Sequence, residues 1–174
     1  MIWPTSLRPV EFLPKPFRRL AAGFTQIEIV ADIYMFSRLD QTWQQDAYIK
    51  APNAEEVDVF GRALALSGNG GVLVVGAQNE EGGGVGSFAD PSDNTAPNSG
   101  AAYVFTHVNG AWMHRHYLKA PNSHTDCQFG AALGLTADGS TLVIAAPHET
   151  STATGIGGNP HDMAGTGIGA VYIY

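Results

Sequence analysis

The sequence predicts an all-β fold built from repeated four-stranded antiparallel sheets, and three observations carry that prediction. A stretch of sequence returns at a fixed offset, its turns are those of β-hairpins, and its strand-forming runs are rich in β-branched and aromatic residues. The composition agrees, because a chain of 174 residues with 44% hydrophobic and only 14% charged residues, including 21 glycines, is typical of a turn-rich β protein.

The 69-residue period is visible without any gap. Tyr34 returns as Tyr103 and again as Tyr172, and 103 − 34 = 172 − 103 = 69. The same offset relates residues 48–53 (YIKAPN) to residues 117–122 (YLKAPN). Further pairs one period apart are Trp43 and Trp112, Phe60 and Phe129, and Gly61 and Gly130. Two copies of one structural unit are therefore expected to fold alike.

Each copy contains the turn signals of hairpins. Asn-Gly at residues 69–70 and Asp-Gly at residues 138–139 separate apolar runs, and a further Asn-Gly lies at residues 109–110. These dipeptides accept the positive φ angles of a type I′ turn, so we predict type I′ hairpins at all three places. Two hairpins per unit give four strands.

Small residues alternate with leucine in one strand of each copy. Leucine alternates with alanine in residues 63–66, and with alanine or glycine in residues 132–135. Small residues on one face suit the innermost strand near the axis of a β-propeller, where four-stranded sheets converge. A solenoid and a β-sandwich are the alternatives, but this period is long for a solenoid and a strict repeat is unusual for a sandwich. The predicted fold is a partial β-propeller of four-stranded antiparallel blades.

Landmark motifs recur in the same order in both copies. Phe-Gly is followed by a small-residue segment and then by a Gly-Ala-aromatic strand, at residues 60–61, 76–78 and 99–105 and again at residues 129–130, 145–147 and 168–174. This order resembles the FG-GAP, integrin-α-like family of β-propellers, in its bacterial form, and the resemblance covers residues 31–174. It implies a blade from Phe60 to about Asn122, with strands near residues 62–67, 72–77, 101–106 and 112–119.

The resemblance also sets the expected domain organisation. It implies two outer strands of one blade in residues 31–53, a full blade in residues 60–122 and an incomplete blade in residues 129–174. Residues 1–30 have no counterpart one period later, and their interleaved prolines and basic residues predict an extended or disordered segment. Because a propeller needs about four to eight blades, we expect a fragment or a protomer that completes its ring with further blades or by self-association.

Composition and charge argue against several functional classes. A net charge of −7 leaves no broad basic surface for phosphates, so no nucleic-acid partner is expected. No run approaches the roughly 20 apolar residues of a membrane span, and the first residues lack the pattern of a signal peptide. Cys127 is the single cysteine and is expected to be a buried small residue.

The resemblance implies calcium as the candidate metal, because many FG-GAP blades hold it in an Asp-rich loop between the first two strands. The corresponding loops here, residues 67–71 and 136–140, contain at most one carboxylate each, so we expect plain turns, with Asp138 serving its turn. The long loops between the second and third strands hold the candidate calcium ligands. These are Glu80, Asp90, Asp93, Glu149, Asn159 and Asp162. In the alternative, Asp90, Asp93, Asn159 and Asp162 are expected to cap turns through Asx hydrogen bonds.

Two further groups of side chains have candidate functions. One copy contains four histidines, and histidine is a common ligand of transition metals. Their counterparts one period earlier are other residue types, which favours solvent-facing positions. The four are His107, His114, His116 and His124. Four recurring aromatic residues suit either carbohydrate stacking or packing between blades, and exact recurrence favours packing: Trp43, Tyr48, Trp112 and Tyr117. Lys50 and Lys119 recur before Ala-Pro-Asn, and no physical reason for a lysine there is apparent from the sequence.

No catalytic motif is present, so the chain is not expected to be an enzyme. The resemblance implies a non-catalytic module of a secreted or cell-surface protein that binds protein or glycan partners, for example in cell adhesion. The alternatives are the propeller part of a larger extracellular enzyme and a structural spacer.

Overall fold

The computed structural model describes residues 11–12 and 32–174. These residues form three antiparallel sheets. The single helical segment within the described ranges is a one-turn 3-10 helix at Gly86–Phe88. The prediction of an all-β, antiparallel fold is confirmed.

The strands follow one another in chain order within each sheet. The first sheet has the order β1 (Glu11–Phe12), β2 (Ile33–Leu39) and β3 (Thr42–Ile49). The second sheet has the order β4 (Ala63–Leu66), β5 (Val72–Ala77), β6 (Ala101–Val108) and β7 (Ala111–Leu118). The third sheet has the order β8 (Ala132–Leu135), β9 (Leu142–Ala146) and β10 (Ala170–Ile173). The strands of the second sheet lie close to the four expected ranges.

One hairpin has the predicted turn. Asn109 and Gly110, between β6 and β7, have φ angles of 52° and 83°, which is the type I′ conformation. Asp40 and Gln41 form the corresponding turn between β2 and β3, with φ angles of 46° and 73°. The type I′ prediction for residues 109–110 is therefore confirmed.

The type I′ prediction is wrong for residues 69–70 and 138–139. In each pair only the glycine has a positive φ, 69° at Gly70 and 75° at Gly139. The reason is a side-chain hydrogen bond: Asn69 Oδ1 accepts the N–H of Gly71 at 2.9 Å, which holds Asn69 in an ordinary conformation. The turn closes through the Gly70 N–H on the carbonyl of Ser67 at 2.9 Å.

The strand β5 of the second sheet is buried on both of its faces. Leu73, Val74 and Val75 of β5 are fully buried, although neighbouring side chains in a strand point to opposite faces. One face packs against the first sheet, in a core that includes Ile33 and Met35. The opposite face, which includes Val74, packs against the third sheet. This explains why β5 is a continuous apolar run rather than an alternating one.

A phenylalanine anchors each of these two interfaces. Phe60 packs edge-on against Tyr103, with ring centroids 5.3 Å apart, and against Phe105 at 6.3 Å. Phe129 is likewise buried, and its ring centroid lies 5.4 Å from Tyr172 and 6.4 Å from Tyr174. The two phenylalanines occupy similar surroundings in successive sheets.

Several remaining predictions concern the organisation of the chain. The expectation that residues 1–30 are extended or disordered lies outside the described residues, except that Glu11–Phe12 pairs as a strand with β2. The division into a partial, a full and an incomplete blade stays a prediction. Cys127 is buried, as expected. No helix in the described part of the chain is long and apolar enough to cross a membrane.

Candidate functional site

The long loop between β5 and β6 is tied down where its two ends meet. The N–H of Gly100 donates to the carbonyl of Glu80 at 2.9 Å. The hydroxyl of Ser99 lies within hydrogen-bond distance of the carbonyls of Glu80 and Gly82, at 3.1 Å and 2.8 Å. The base of the loop is therefore closed, and it brings the side chain of Glu80 under the end of the second sheet.

The carboxylate of Glu80 is almost completely buried and accepts four hydrogen bonds. Oε1 accepts the hydroxyl of Tyr117 at 2.6 Å and the side-chain amide of Asn53 at 3.3 Å. Oε2 accepts the ammonium of Lys119 at 2.7 Å and the N–H of Gly82 at 2.9 Å. Every one of these partners is supplied by the protein, as the burial of an anion requires.

The contacts of Lys119 give a physical reason for a lysine before Ala-Pro-Asn in the second copy. Its side chain is fully buried, and its Nζ lies 2.7 Å from Glu80 and 2.7 Å from the hydroxyl oxygen of Ser99. Burial lowers the pKa of Lys119, and the neighbouring carboxylate of Glu80 opposes that shift. The pair joins the end of β7 to the base of the long loop, so loop and sheet are held together by a desolvated ion pair.

Asn53 extends this network to the segment after the first sheet. Its Oδ1 accepts the hydroxyl of Tyr103 at 2.8 Å, and its Nδ2 donates to the carbonyl of Pro91 at 2.9 Å. Burial raises the pKa values of Tyr103 and Tyr117, so both phenols stay protonated and act as hydrogen-bond donors.

A similar arrangement surrounds Glu149 beside the third sheet. Asn122 donates to Glu149 Oε1 at 2.7 Å and to the carbonyl of Pro160 at 2.8 Å, and Tyr172 donates to Asn122 at 2.6 Å. No lysine takes part: within residues 32–174 neither ion pair includes Glu149. Ser151 donates to it instead, through its N–H at 2.8 Å and its hydroxyl at 3.2 Å.

Gly82, in the loop after β5, is the residue one period before Ser151, and glycine is required there. A Cβ on Gly82 would lie 2.3 Å from the hydroxyl of Tyr117. In the third sheet the side chain of Ser151 supplies a hydroxyl donor to the carboxylate itself. The two buried carboxylates therefore have the same asparagine–tyrosine support and different remaining donors.

The six candidate calcium ligands do not converge on one point. Glu80 and Glu149 are buried in the networks described above. The other four lie in turns or in links between loop segments: Asp90 accepts from Ser92, Asp93 from Thr95, Asn159 from His161 and Asp162 from Thr152. No group of three or more acidic, histidine or cysteine side chains in the described ranges is placed to hold a metal ion. Calcium binding by these residues stays a prediction, and the geometry corresponds to the alternative interpretation as turn residues.

The short loop at residues 136–140 forms a plain turn that is held by its own side chains. Asp138 Oδ1 accepts the hydroxyl of Thr136 at 2.6 Å and the N–H of Ser140 at 3.1 Å. These hydrogen bonds lower the pKa of Asp138 to about 2. Its carboxylate is therefore engaged within the turn, as expected from the sequence.

Asp58 is a buried carboxyl group that sequence reasoning missed. It is 4% exposed and accepts the N–H of Glu55 at 3.0 Å. Burial raises its pKa to about 6, and the negative charge of Glu80 adds to the shift. The equivalent position one period later holds Cys127, an apolar substitute. The alignment of Asp58 with a cysteine one period later was the sequence signal that could have predicted this burial.

The recurring aromatic residues divide between packing and exposure. Tyr117 is buried, as the packing interpretation predicts, whereas Tyr48 is 48% exposed and Trp43 is 39% exposed. The packing prediction is wrong for Tyr48 and Trp43. The physical reason is that Tyr117 packs beneath the loop that carries Glu80, and no described segment covers Tyr48 in the same way.

The histidines lie near the outer end of the second sheet and in the segment that follows it. His107 stacks on Trp112, with ring centroids 5.2 Å apart and a tilt of 37°. His114 Nε2 donates to the carbonyl of His116 at 3.0 Å, and burial lowers the pKa of His114. His124 lies 3.3 Å from the hydroxyl of Thr150. The four histidines form no metal-binding cluster with other described residues.

Comparison with known families gives one result. Residues 43–105 match the FG-GAP repeat, a stretch that begins in β3 and ends in β6. This match agrees with the resemblance to the FG-GAP, integrin-α-like family. No curated protein has a significantly similar sequence.

Proposed function

We propose that this chain, whose residues 43–105 form an FG-GAP repeat, is part of a β-propeller that serves as a non-catalytic interaction module for protein or glycan partners. The observation that carries the proposal is the stacking of three sheets through equivalent faces, with Phe60 and Phe129 as equivalent anchors. FG-GAP repeats occur in extracellular and cell-surface proteins, and we place this chain in the same setting.

The interfaces between sheets support radial repetition. The centroid distances around Phe60, 5.3 Å and 6.3 Å, are nearly the same as those around Phe129, 5.4 Å and 6.4 Å. The partner rings also correspond, since Tyr172 stands one period after Tyr103 and Tyr174 one period after Phe105. A unit that contacts each neighbour through the same surface generates a ring or an array.

The first strands of neighbouring sheets approach closely, as strands do near a propeller axis. The N–H of Gly68, just after β4, donates to the carbonyl of Ala137, just after β8, at 2.8 Å. A Cβ on Gly76 would lie 2.1 Å from the carbonyl oxygen of Gly130, so only glycine fits there. The first contact supports the convergence of β4 and β8 toward a common centre, and the second brings β5 close to the segment that precedes β8.

The long loops provide the exposed surface that an interaction module needs. Phe88 is 98% exposed on the loop between β5 and β6, and Ile156 is fully exposed on the loop between β9 and β10. Both loops rise from closed bases that hold a buried glutamate, Glu80 or Glu149. Exposed apolar side chains on loops with a rigid base are typical of recognition surfaces.

The third sheet has a face that supports the expected contact with a further blade. Val171 and Ile173 of β10 are 64% and 72% exposed. Their counterparts one period earlier, Ala102 and Val104, belong to the face that packs against the next sheet. We therefore expect this face to be covered when a ring is complete.

Sedimentation velocity tests the ring, with a lysine substitution as control. We expect the purified chain to self-associate, and we expect the double variant Val171→Lys/Ile173→Lys to be smaller while keeping its circular dichroism spectrum. A well-folded, monodisperse monomer at all concentrations would contradict completion of the ring by self-association.

Binding is tested separately, on a panel of purified extracellular matrix proteins and immobilised glycans. We expect the chain to bind a member of at least one of these two classes. A chain that binds neither class would contradict the interaction module, and turnover of glycosidase or esterase substrates would favour the enzyme alternative.

A further inference from the structure

Two cavities open between the first and second sheets, on either side of one tryptophan. The larger has a volume of about 420 Å³, and the smaller about 320 Å³. Trp112 lines both of them. Both volumes lie within the range of roughly 300–1,000 Å³ that is usual for small-molecule sites. We call these two cavities together the Trp112 cleft.

The larger cavity combines an aromatic surface with unpaired polar groups. His107 and Trp112, a cross-strand pair of β6 and β7, provide the rings. Gln44 of β3 lines the same cavity from the strand face that carries Met35 and Ser37, and its side-chain amide makes no hydrogen bond with the described residues. This amide supplies both donors and an acceptor within reach of an aromatic face.

A β-bulge increases the number of polar side chains at this place. In the pairing of β2 with β3, Phe36 lies opposite Gln45 and Met35 lies opposite Ala47, so Asp46 is the extra residue. Asp46 accepts the hydroxyl of Ser37 on Oδ1 at 3.0 Å, and its Oδ2 has no partner within residues 32–174. Bulges commonly redirect side chains next to binding sites.

The polar groups of the cleft are not demanded by the fold. The positions one period after Gln44 and Asp46 hold Met113 and Arg115, although the second sheet has the same bulge. A residue that the packing of every blade requires should recur in both copies, whereas these polar residues do not recur. They are therefore available for binding.

The charge of the cleft selects the class of ligand. Asp46 is the carboxylate among the residues that line the larger cavity, so an anion would meet repulsion there. Lys50 lines the smaller cavity, but its ammonium is paired with Asp32 at 3.3 Å. Rings that stack on apolar CH faces, together with an amide and a carboxylate that bind hydroxyl groups, suit an uncharged sugar.

We propose that the Trp112 cleft binds a neutral oligosaccharide, with one sugar ring against Trp112 and hydroxyl groups bonded to Gln44 and Asp46. This inference rests on the glycan branch of the proposed function and names the surface and the class of ligand.

Isothermal titration with cellotriose, maltotriose and chitotriose tests the site, with a heparin-derived oligosaccharide as the anionic comparison. We expect at least one neutral trisaccharide to bind, and we expect Gln44→Ala/Asp46→Ala to weaken its binding by about tenfold or more. Both residues are exposed, so this variant keeps its fold. Met113→Ala is the matched control, because it changes the position equivalent to Gln44 and lines neither cavity, and it should change the affinity by less than about twofold.

Three results would overturn the proposal: no binding of the three neutral sugars at millimolar concentration, equal affinity in the Gln44→Ala/Asp46→Ala variant, or binding of the heparin fragment alone. The matrix-protein panel separates this failure from that of the proposed function. A chain that binds a purified matrix protein but no sugar retains its role as an interaction module and loses the assignment of the cleft.

Discussion

Removal of Lys119 is the substitution for which the structure predicts the largest electrostatic cost. Lys119→Ala deletes the ammonium that lies 2.7 Å from the carboxylate of Glu80, while Glu80 stays buried. Breaking a buried pair by removing one partner typically costs about 3–5 kcal/mol, because a charge is left uncompensated in the interior. Three neutral donors remain on Glu80, from Tyr117, Asn53 and Gly82, so we expect the lower part of that range, about 3 kcal/mol.

The chain contains a matched control for this substitution. Lys50 stands one period before Lys119, but its side chain is 42% exposed and its partner Asp32 lies 3.3 Å away. Because the ammonium of Lys50 stays in contact with water, its pairing with Asp32 stabilises the fold far less than a fully desolvated pair does. Lys50→Ala should therefore lower the free energy of unfolding far less than Lys119→Ala, although the two lysines stand in the same sequence context.

Urea unfolding followed by tryptophan fluorescence measures both variants. For a chain of this size, about 3 kcal/mol corresponds to a decrease of roughly 6–12 °C in Tm, which a thermal scan detects independently. Addition of Glu80→Gln to Lys119→Ala should recover part of the loss, because the uncompensated charge is then removed. Equal costs for Lys50→Ala and Lys119→Ala would refute the structural role of the buried pair.

Three further predictions test other parts of the molecule. Phe129→Ala should lower the free energy of unfolding by about 3–5 kcal/mol, because it leaves a cavity between two sheets. The control Phe88→Ala removes a fully exposed ring and should change the free energy of unfolding by less than about 0.5 kcal/mol. An unchanged urea midpoint for Phe129→Ala would refute its anchoring role. The pKa of Asp58 is raised to about 6 in the folded chain from an ordinary value near 4, so the folded state binds this proton more tightly and stability falls as pH rises from about 4 to about 6. Asp58→Asn should therefore stabilise the chain by about 1–3 kcal/mol at pH 7.5 and by much less at pH 4, and a difference that does not depend on pH would argue against the burial effect. If Asp90, Asp93, Asn159 and Asp162 serve their turns, millimolar Ca²⁺ should leave Tm unchanged in a thermal scan, since tight binding at a hundredfold excess over Kd would add about 2.7 kcal/mol.

The strand content could be predicted from the sequence because packing leaves a periodic signal. Recurring aromatic residues, apolar runs such as β5 and the Asn-Gly at residues 109–110 all report local requirements that any such sheet must meet. The type I′ prediction failed at residues 69–70, because a single hydrogen bond from Gly71 to Asn69 decides between two turns with the same glycine.

The buried network was less accessible to sequence reasoning. A glutamate recurs at the position of Glu80, and the sequence alone suggests a calcium ligand there. Its partners Lys119 and Tyr117 are 37 to 39 residues away, so only the three-dimensional arrangement brings them together. The recurrence of YxKAPN was the signal, but recurrence alone does not distinguish Lys50, which is half exposed, from Lys119, which is fully buried.

Substitution of the two equivalent asparagines tests most directly whether successive sheets share one supporting network. Asn53 and Asn122 each join a tyrosine hydroxyl, a buried glutamate and a proline carbonyl. We predict that Asn53→Ala and Asn122→Ala each lower the free energy of unfolding by about 1–3 kcal/mol, measured by urea unfolding, and that the double variant loses the sum. A loss at one asparagine and none at the other would contradict the shared network.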